Sequence, residues 1–187
     1  VDTSKLALAF SEGKVGSVLN SGGHSYPPEQ WRELVANIHE ASIAGKGIPT
    51  LYGVDAIHGA TYTFGAALGP QQIALAATWD TALVRAMSEA TAREISACGI
   101  PWNFAPVLDV GRDPRWPRFW ETFGEDVKLV GDMGESMVRG FQEGESVVGA
   151  TLKHYMGYST PWSGKDRTPA YIPERQLREI FLPPFAQ

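Results

Sequence analysis

The stretch Val147-Val-Gly-Ala-Thr-Leu-Lys-His-Tyr155 is an apolar, strand-like run that ends in a lysine and a histidine and continues into a long polar loop. Two earlier runs end in the same way, Ile48–Asp55 and Trp102–Asp109, and the second leads into the arginine-rich segment 112–118. In a parallel sheet or barrel, ligand-contacting residues lie at the carboxyl ends of the strands. The three strand ends therefore predict a site for a polar ligand.

Short apolar runs alternate with longer amphipathic ones along the whole chain. They predict strands over Gly16–Asn20, Pro49–Val54, Trp102–Asp109 and Val147–Lys153, and helices over Pro28–Ala44, Asp80–Cys98, Val127–Glu143 and Pro173–Phe185. A strand followed by a helix, four times over, implies an α/β fold with a parallel sheet and right-handed crossovers. An open doubly wound sheet and a closed barrel both fit this order.

Composition excludes several classes of protein. The chain has 187 residues, enough for a single domain over residues 1–187, and a net charge of −5 with acids and bases interspersed. A nucleic-acid surface would need a basic patch, so no nucleic-acid partner is predicted. There is no run of 18 apolar residues and hence no predicted membrane span, and the N-terminal residues do not resemble a signal peptide.

Two further features argue against redox and dinucleotide chemistry. Cys98 is the single cysteine, so it forms no internal disulfide and is predicted to be a small core residue. Ser21-Gly-Gly-His24 lacks the spacing of a dinucleotide-binding turn, and no two histidines have the spacing of zinc ligands. We therefore predict no cofactor and no metal.

Asp55 and the arginines are the first candidates for ligand contact. Asp55 is either a loop carboxylate or an acceptor for ligand hydroxyls, because a carboxylate accepts several strong hydrogen bonds. Arg112 and Arg115 fit an ion-pair network with Asp113 as well as they fit a site. Arg118 lies among aromatic residues that would orient its guanidinium, so we favour ligand contact for it.

The histidines and tryptophans complete the set of candidates. Lys153 and His154 stand at the tip of the last strand, whereas His58 is better explained by packing. Two neighbouring residues of a regular strand point to opposite faces, so both can reach one pocket only if the backbone is irregular between Leu152 and Tyr155. Tryptophans at strand starts or in loops, beside hydroxyl-binding charges, suit a sugar, which has apolar faces and polar edges; these are Trp102, Trp116, Trp120 and Trp162.

Three motifs resemble glycoside hydrolase family 3: Gly53–Gly59, Asp113–Asp126 and Lys153–Gly157. The resemblance is to the N-terminal barrel domain of its β-glucosidases and exo-glucanases, and it runs from about Gly16 to Gln187. It implies a parallel β/α barrel of TIM type, of which the chain carries about four β-α units, a half-barrel. It also implies an O-glycosyl hydrolase of the β-glucosidase type, exo-acting and retaining, in a secreted or periplasmic compartment.

The resemblance implies that Asp55, Arg118, Lys153 and His154 bind hydroxyls of the non-reducing-end sugar of a β-glucoside or β-glucan. Pro117 stands where the family usually has Gly, which affects the path of that loop. The loop after Lys153-His154 lacks the Asp-Ser-His triplet of the N-acetylglucosaminidase branch, so the glucosidase branch is favoured. The family's nucleophile lies in a Ser-Asp-Trp-like motif, and no Ser-Asp occurs here. The catalytic carboxylates are therefore expected downstream of this segment.

Other interpretations stay open. A half-barrel exposes strand edges and an apolar face, so the remainder of the enzyme or a second chain is expected to complete it. The alternative function is a non-catalytic half-barrel that binds carbohydrate or serves as a scaffold. An unrelated phosphate-binding α/β enzyme is a third possibility, although the chain has no glycine-rich phosphate loop.

Overall fold

Three short parallel strands form the sheet in the computed structural model, which describes residues 2–20 and 23–187. They are β1 (Ser17–Leu19), β2 (Leu51–Val54) and β3 (Trp102–Asn103), in the spatial order β1-β2-β3. All pairings are parallel and sequential neighbours are adjacent. This is the arrangement that successive β-α units of a barrel produce. Ser21 and Gly22 of the glycine-rich segment 21–24 lie outside the described residues.

The helices that cover the sheet agree with the predicted ones where the periodicity is strong. Asp80 caps the second predicted helix by accepting a hydrogen bond from the backbone N–H of Leu83 at 3.1 Å, and Gly99, with a φ of 74°, ends it. In the described residues the α-helices are α1 (Thr3–Ser11), α2 (Pro28–Lys46), α3 (Gln72–Ala76), α4 (Thr81–Ala97), α5 (Val127–Gln142), α6 (Glu174–Gln176) and α7 (Pro183–Ala186). The short α1 and α3 were not predicted.

The last predicted helix, Pro173–Phe185, is wrong as one continuous α-helix. It is divided into α6, a π-helical turn over Leu177–Phe181, and α7. Pro183 and Pro184 have no backbone N–H, so they cannot continue the i to i−4 bonds of an α-helix. The N–H of Leu182 instead donates to the carbonyl of Leu177 at 2.8 Å, five residues back.

The fourth predicted strand, Val147–Lys153, also needs correction. It runs parallel to the chain that follows β3 without forming a regular strand. Two isolated parallel bridges attach it, one from Gly149 to Trp102 and one from Lys153 to Val107. The order of four adjacent parallel segments is therefore as predicted. The fourth is attached through these two bridges and through the N–H of Thr151, which donates to the carbonyl of Ala105 at 3.0 Å, instead of through a regular strand ladder.

The third predicted strand, Trp102–Asp109, is regular only in its first two residues because later backbone groups have other partners. Pro106 has no N–H to donate. The buried side chain of Gln72, at the start of α3, accepts the N–H of Val107 at 3.0 Å and donates to its carbonyl at 2.9 Å. One side-chain amide thus satisfies both backbone groups of a residue that the sheet leaves unpaired.

The outer face of the sheet is packed against the helices. Alternate residues of β2, Tyr52 and Val54, are buried there, and the ring of Tyr52 lies 5.9 Å from that of Trp31 on α2. The predicted core residue Cys98 is fully buried, and burial is the main cause that raises the pKa of its thiol. The hydrophobic core therefore lies between the strands and the helices.

The inner face of the same strands is open. Leu51 is 54% exposed and Leu19, beside Gly53 in the pairing register, is 59% exposed. Gly53 shares this face, and a Cβ on it would collide with the ring of Phe104. Asp55 follows two residues later on the same face, so the inner face ends in a carboxylate.

No helix within the described ranges is long and apolar enough to cross a membrane.

Candidate functional site

An ion pair between Asp55 and Lys153 joins the ends of two strand segments. Lys153 Nζ donates to Asp55 Oδ1 at 2.7 Å, and Asn20 Nδ2 donates to Asp55 Oδ2 at 3.0 Å. The Lys153 side chain is 12% exposed and that of Asp55 is 31% exposed. The pair is therefore partly withdrawn from water, where an ion pair is screened less than at the surface.

The backbone between Lys153 and His154 is irregular, as predicted. The peptide bond that joins them is cis, and so is the bond between Tyr155 and Met156. Lys153 reaches Asp55, while His154 reaches Asp109 at the end of the neighbouring segment.

A buried carboxylate holds His154. Asp109 Oδ2 lies 2.6 Å from His154 Nδ1 and accepts the backbone N–H of the same residue at 3.1 Å. The Asp109 side chain is 0% exposed, whereas that of His154 is 28% exposed. The histidine thus has one edge in the protein and another toward solvent.

Arg118 is oriented by a carboxylate and two aromatic rings. Its Nε and Nη2 donate to the two carboxylate oxygens of Glu121 at 2.9 and 2.6 Å. Its guanidinium carbon lies 5.9 Å from the ring centre of Trp116 and 5.6 Å from that of Tyr158. The hydrogen bonds with Glu121 are the largest cause that raises the pKa of Arg118 above its ordinary value, against the effect of burial. The cation is therefore permanent and preoriented.

Asp166 ties the aromatic residues together. Its Oδ1 accepts hydrogen bonds from the Tyr158 hydroxyl at 2.6 Å and from the Trp116 indole N–H at 3.0 Å. Partial burial opposes the ionisation of Asp166, but these two hydrogen bonds hold its pKa below the usual range. Burial, followed by the hydrogen bond to Asp166, raises the pKa of the Tyr158 hydroxyl. The tyrosine therefore stays neutral while the aspartate is charged.

These groups meet at a cavity of about 510 Å³ that Arg118 and His154 both line. Tyr158 links them, since its ring is 4.7 Å from the His154 ring and lies under the Arg118 guanidinium. The Asp55–Lys153 pair adjoins the cavity through the Lys153–His154 peptide. Of the four residues predicted to bind the ligand, Asp55 and Lys153 are in direct contact, and Arg118 and His154 line one cavity, each beside the ring of Tyr158.

The other candidates lie elsewhere. Arg115 forks onto Asp113 through Nε and Nη2, with a shortest distance of 2.7 Å, as the ion-pair alternative expected. Together with Arg112 it lines a separate cavity of about 640 Å³. His58 Nδ1 lies 3.0 Å from the carbonyl of Gly69, which agrees with a packing role.

Several residues of the region were missed from the sequence. Asn20 and Asp109 each end a predicted strand, so the signal that selected Asp55 would have found them too. Glu121 follows Arg118 by three residues, a spacing at which opposite charges can meet, and this spacing is the signal that could have identified the pair. No pattern pointed to Tyr158 or Asp166, because their contacts depend on how the long loop folds back.

Side chains that ligate metals are dispersed. In the parts of the chain that the structure describes, no three His, Cys, Asp or Glu side chains are grouped so that they could hold a metal ion.

Fold and site together define a partial β/α barrel whose strand ends carry a cluster of charged and aromatic side chains beside a cavity. Comparison with known proteins makes the class specific, because residues 3–187 match the family model for the glycosyl hydrolase family 3 N terminal domain. The chain belongs to glycosyl hydrolase family 3. Its four parallel segments and their helices are part of the TIM-type barrel of that domain.

Individual relatives agree. The lysosomal beta glucosidase of Dictyostelium discoideum is 43% identical over an alignment that covers 100% of this chain and 25% of that protein. The periplasmic beta-glucosidase of Salmonella typhimurium is 30% identical over 94% of this chain and 22% of its own length. The exo-1,3/1,4-beta-glucanase of a Pseudoalteromonas species superimposes with a TM-score of 0.88, at 33% identity, over 99% of this chain and 25% of that structure. The chain therefore spans about a quarter of the length of these relatives.

Proposed function

We propose that this chain supplies the sugar-binding half of the active site of an O-glycosyl hydrolase that acts on β-linked glucosides or glucans. The observation that carries the proposal is the junction of the Asp55–Lys153 pair with the cavity lined by His154 and Arg118. Fixed donors and acceptors at the strand ends suit a non-reducing-end sugar, whose hydroxyls need both kinds of partner. No cofactor is required.

The residues have distinct roles in this proposal. Asp55 accepts hydrogen bonds from sugar hydroxyls through the lone pairs that Lys153 and Asn20 do not use. Arg118 uses two nitrogens on Glu121, and its third nitrogen, Nη1, lies outside that pairing and can donate to the ligand. His154 presents its outer edge to the cavity. Charge-assisted hydrogen bonds of this kind are roughly twice as strong as neutral ones, so they dominate the binding.

The bond chemistry is assigned to residues outside this chain. A retaining glycosidase needs a nucleophilic carboxylate and an acid/base carboxyl about 5–5.5 Å apart. We place both in the segment that completes the barrel and beyond it, and treat residues 1–187 as one part of that domain. The remainder of the enzyme is the favoured partner for the open inner face, and a second chain is the alternative.

Relatives support this choice of substrate and suggest a compartment. Besides the glucosidases, a relative from Formosa agariphila named beta-xylosidase is 37% identical over 74% of this chain, so pentosides belong in the substrate panel. Two relatives are named periplasmic, and we propose a secreted or periplasmic location for the protein that carries this chain.

The experiment compares the chain alone with the complete protein that carries it. Aryl β-glucoside and β-xyloside hydrolysis is measured for both, and the anomer released first is identified by proton NMR. We expect turnover of roughly 1–10³ per second from the complete protein, with the β-anomer first, and none from the chain alone. Sugar binding without hydrolysis by the complete protein would favour the non-catalytic carbohydrate-binding half-barrel instead.

A further inference from the structure

We propose that Asp109 is a positioning residue that fixes the ring of His154 with Nδ1 toward the protein and Nε2 toward the ligand. This inference rests on the proposed function for its role in catalysis but not for its geometry. Asp109 itself does not touch the cavity, since its side chain is 0% exposed.

Both contacts from Asp109 go to one residue. A single oxygen, Oδ2, receives the backbone N–H of His154 and faces its ring nitrogen Nδ1 at 2.6 Å. The backbone contact fixes where the residue stands, and the ring contact fixes how the imidazole is turned. An ionised carboxylate accepts hydrogen bonds and does not donate them, so a contact with ionised Asp109 requires the proton on Nδ1.

The other carboxylate oxygen of Asp109, Oδ1, also supports a positioning role. Asp109 Oδ1 is buried and makes no hydrogen bond to any residue that the structure describes. Buried polar atoms are almost always paired, so an Oδ1 without a partner does not tie Asp109 to a second segment. Asp109 instead directs its whole hydrogen-bonding contact to His154.

The imidazole also contacts the ring of Tyr158, with 4.7 Å between the ring centres and 67° between the ring planes. In contact with a carboxylate and an aromatic ring, the imidazole has Nε2 as its remaining polar atom. A sugar hydroxyl can donate to neutral Nε2 or accept from it when it is protonated. The charged and titratable side chains that line the cavity with His154 are Arg118, Tyr155, Tyr158 and Arg167. Asp109 lies behind His154, and Lys153 precedes it in the chain.

The first test is a double-mutant cycle on the complete protein, using aryl β-glucoside hydrolysis. Asp109→Asn keeps the shape and removes the charge, and it should lower kcat/KM about tenfold to a hundredfold, since a charged hydrogen bond is weakened. In a His154→Ala background the same substitution should change kcat/KM by less than about twofold. An equal loss in both backgrounds would mean that Asp109 serves the fold only, and no loss in either would also overturn the proposal. Asp80→Asn is the matched control, because asparagine caps α4 as well as aspartate.

A second pair of variants leaves Asp109 intact, in case Asp109→Asn does not fold. His154→Asn keeps a donor near the Nδ1 position, and His154→Gln keeps a polar group near the Nε2 position. If the ring must contact both Asp109 and the ligand, the kcat/KM of both variants should be as low as that of His154→Ala, to within about threefold. Wild-type activity in His154→Gln would show that the Asp109 contact is not needed.

A readout without activity separates this inference from the proposed function. Ring ¹⁵N shifts of histidine-labelled complete protein, with His154 assigned by its absence in His154→Gln, should show the proton on Nδ1. A proton on Nε2 with bare Nδ1 contradicts the inference even if the enzyme is active. An inactive wild-type protein with the Nδ1–H form would refute the proposed function and leave the positioning role standing.

Discussion

The two faces of the sheet differ in solvent exposure although they belong to the same strands. On the outer face Tyr52 and Val54 are buried under helices, while on the inner face Leu19 and Leu51 are more than half exposed. The outer layer is complete within the chain, because each crossover helix comes from the chain itself. The inner layer of a barrel is filled by residues from all around it, so it depends on strands beyond these four segments. The site lies at the end of this unfinished layer.

Shortening a leucine in each of the two layers should give the largest difference in the free energy of unfolding. Leu75 is 2% exposed in the outer layer, so Leu75→Ala should lower the free energy of unfolding of the isolated chain by about 2–5 kcal/mol. Leu51→Ala, at 54% exposure, should change it by less than about 0.5 kcal/mol. Urea unfolding of the two matched variants measures this. Equal losses would mean that the inner face is already covered, for example by self-association.

Two lysine–aspartate pairs of equal length sharpen the comparison for activity. Lys153–Asp55 and Lys128–Asp132 both measure 2.7 Å, but the Lys153 side chain is 12% exposed and that of Lys128 is 81% exposed. Lys153→Met should lower kcat/KM of the complete protein by about tenfold to a hundredfold, since a charge-assisted bond contributes roughly 1.5–3 kcal/mol. Lys128→Met should leave it within about twofold, as expected for a surface pair. A similar loss in both variants would argue against a ligand site at Lys153.

Close packing of the outer layer predicts an intermediate effect. A Cβ on Gly140 of α5 would lie 2.6 Å from the Arg85 carbonyl and from Ser88 Cβ on α4. Gly140→Ala should therefore destabilise the chain by about 1–3 kcal/mol through overpacking, despite the better helix propensity of alanine. Gly16→Ala, with no atom within 4 Å of the added Cβ, is the control. Thermal unfolding of both variants tests the prediction, and a stabilised Gly140→Ala would show that the helices can move apart.

The smallest expected effect concerns pH and the loop that closes the site. The folded pKa of Asp166 is depressed, so its carboxylate stabilises the fold above the ordinary aspartate pKa of about 3.9 and loses this as pH falls through the folded pKa. Asp166→Asn should destabilise the protein at pH 7 by less than about 1 kcal/mol, because the group is partly exposed. The difference should shrink near pH 3. Urea unfolding at both pH values checks this, and a constant difference would assign the effect to shape instead of charge.

The sequence was sufficient for the parts of the fold that repeat a simple pattern. Amphipathic alternation located α4 and α5 to within a residue. Both helices begin beside an aspartate, Asp80 or Asp126, that caps them through a local contact. The irregular chain after β3 was not predictable, since its backbone is satisfied by Gln72 from a different segment. Periodicity within one segment carries no information about such a partner.

For the site, charged residues at strand ends could be found, and their partners could not. Asp55, Lys153 and His154 stand out because each follows an apolar run. The contacts of Tyr158 with His154 and Asp166 arise only when the loop folds over the strand ends. The burial of Asp109 against His154 likewise depends on how the whole chain packs, so it cannot be predicted from the sequence around Asp109.

The amide of Gln72 has a consequence for which substitutions evolution can accept. It copies the donor and acceptor of one peptide group, and so takes the place of a whole residue of a neighbouring strand beside Val107. Glutamate would set a carboxylate against the Val107 carbonyl, and leucine would leave two backbone groups unsolvated. A side chain on a five-residue helix therefore supplies what a neighbouring strand usually supplies, a donor and an acceptor at fixed positions. Residue 72 can therefore be replaced only by a side chain that carries both a donor and an acceptor at that reach.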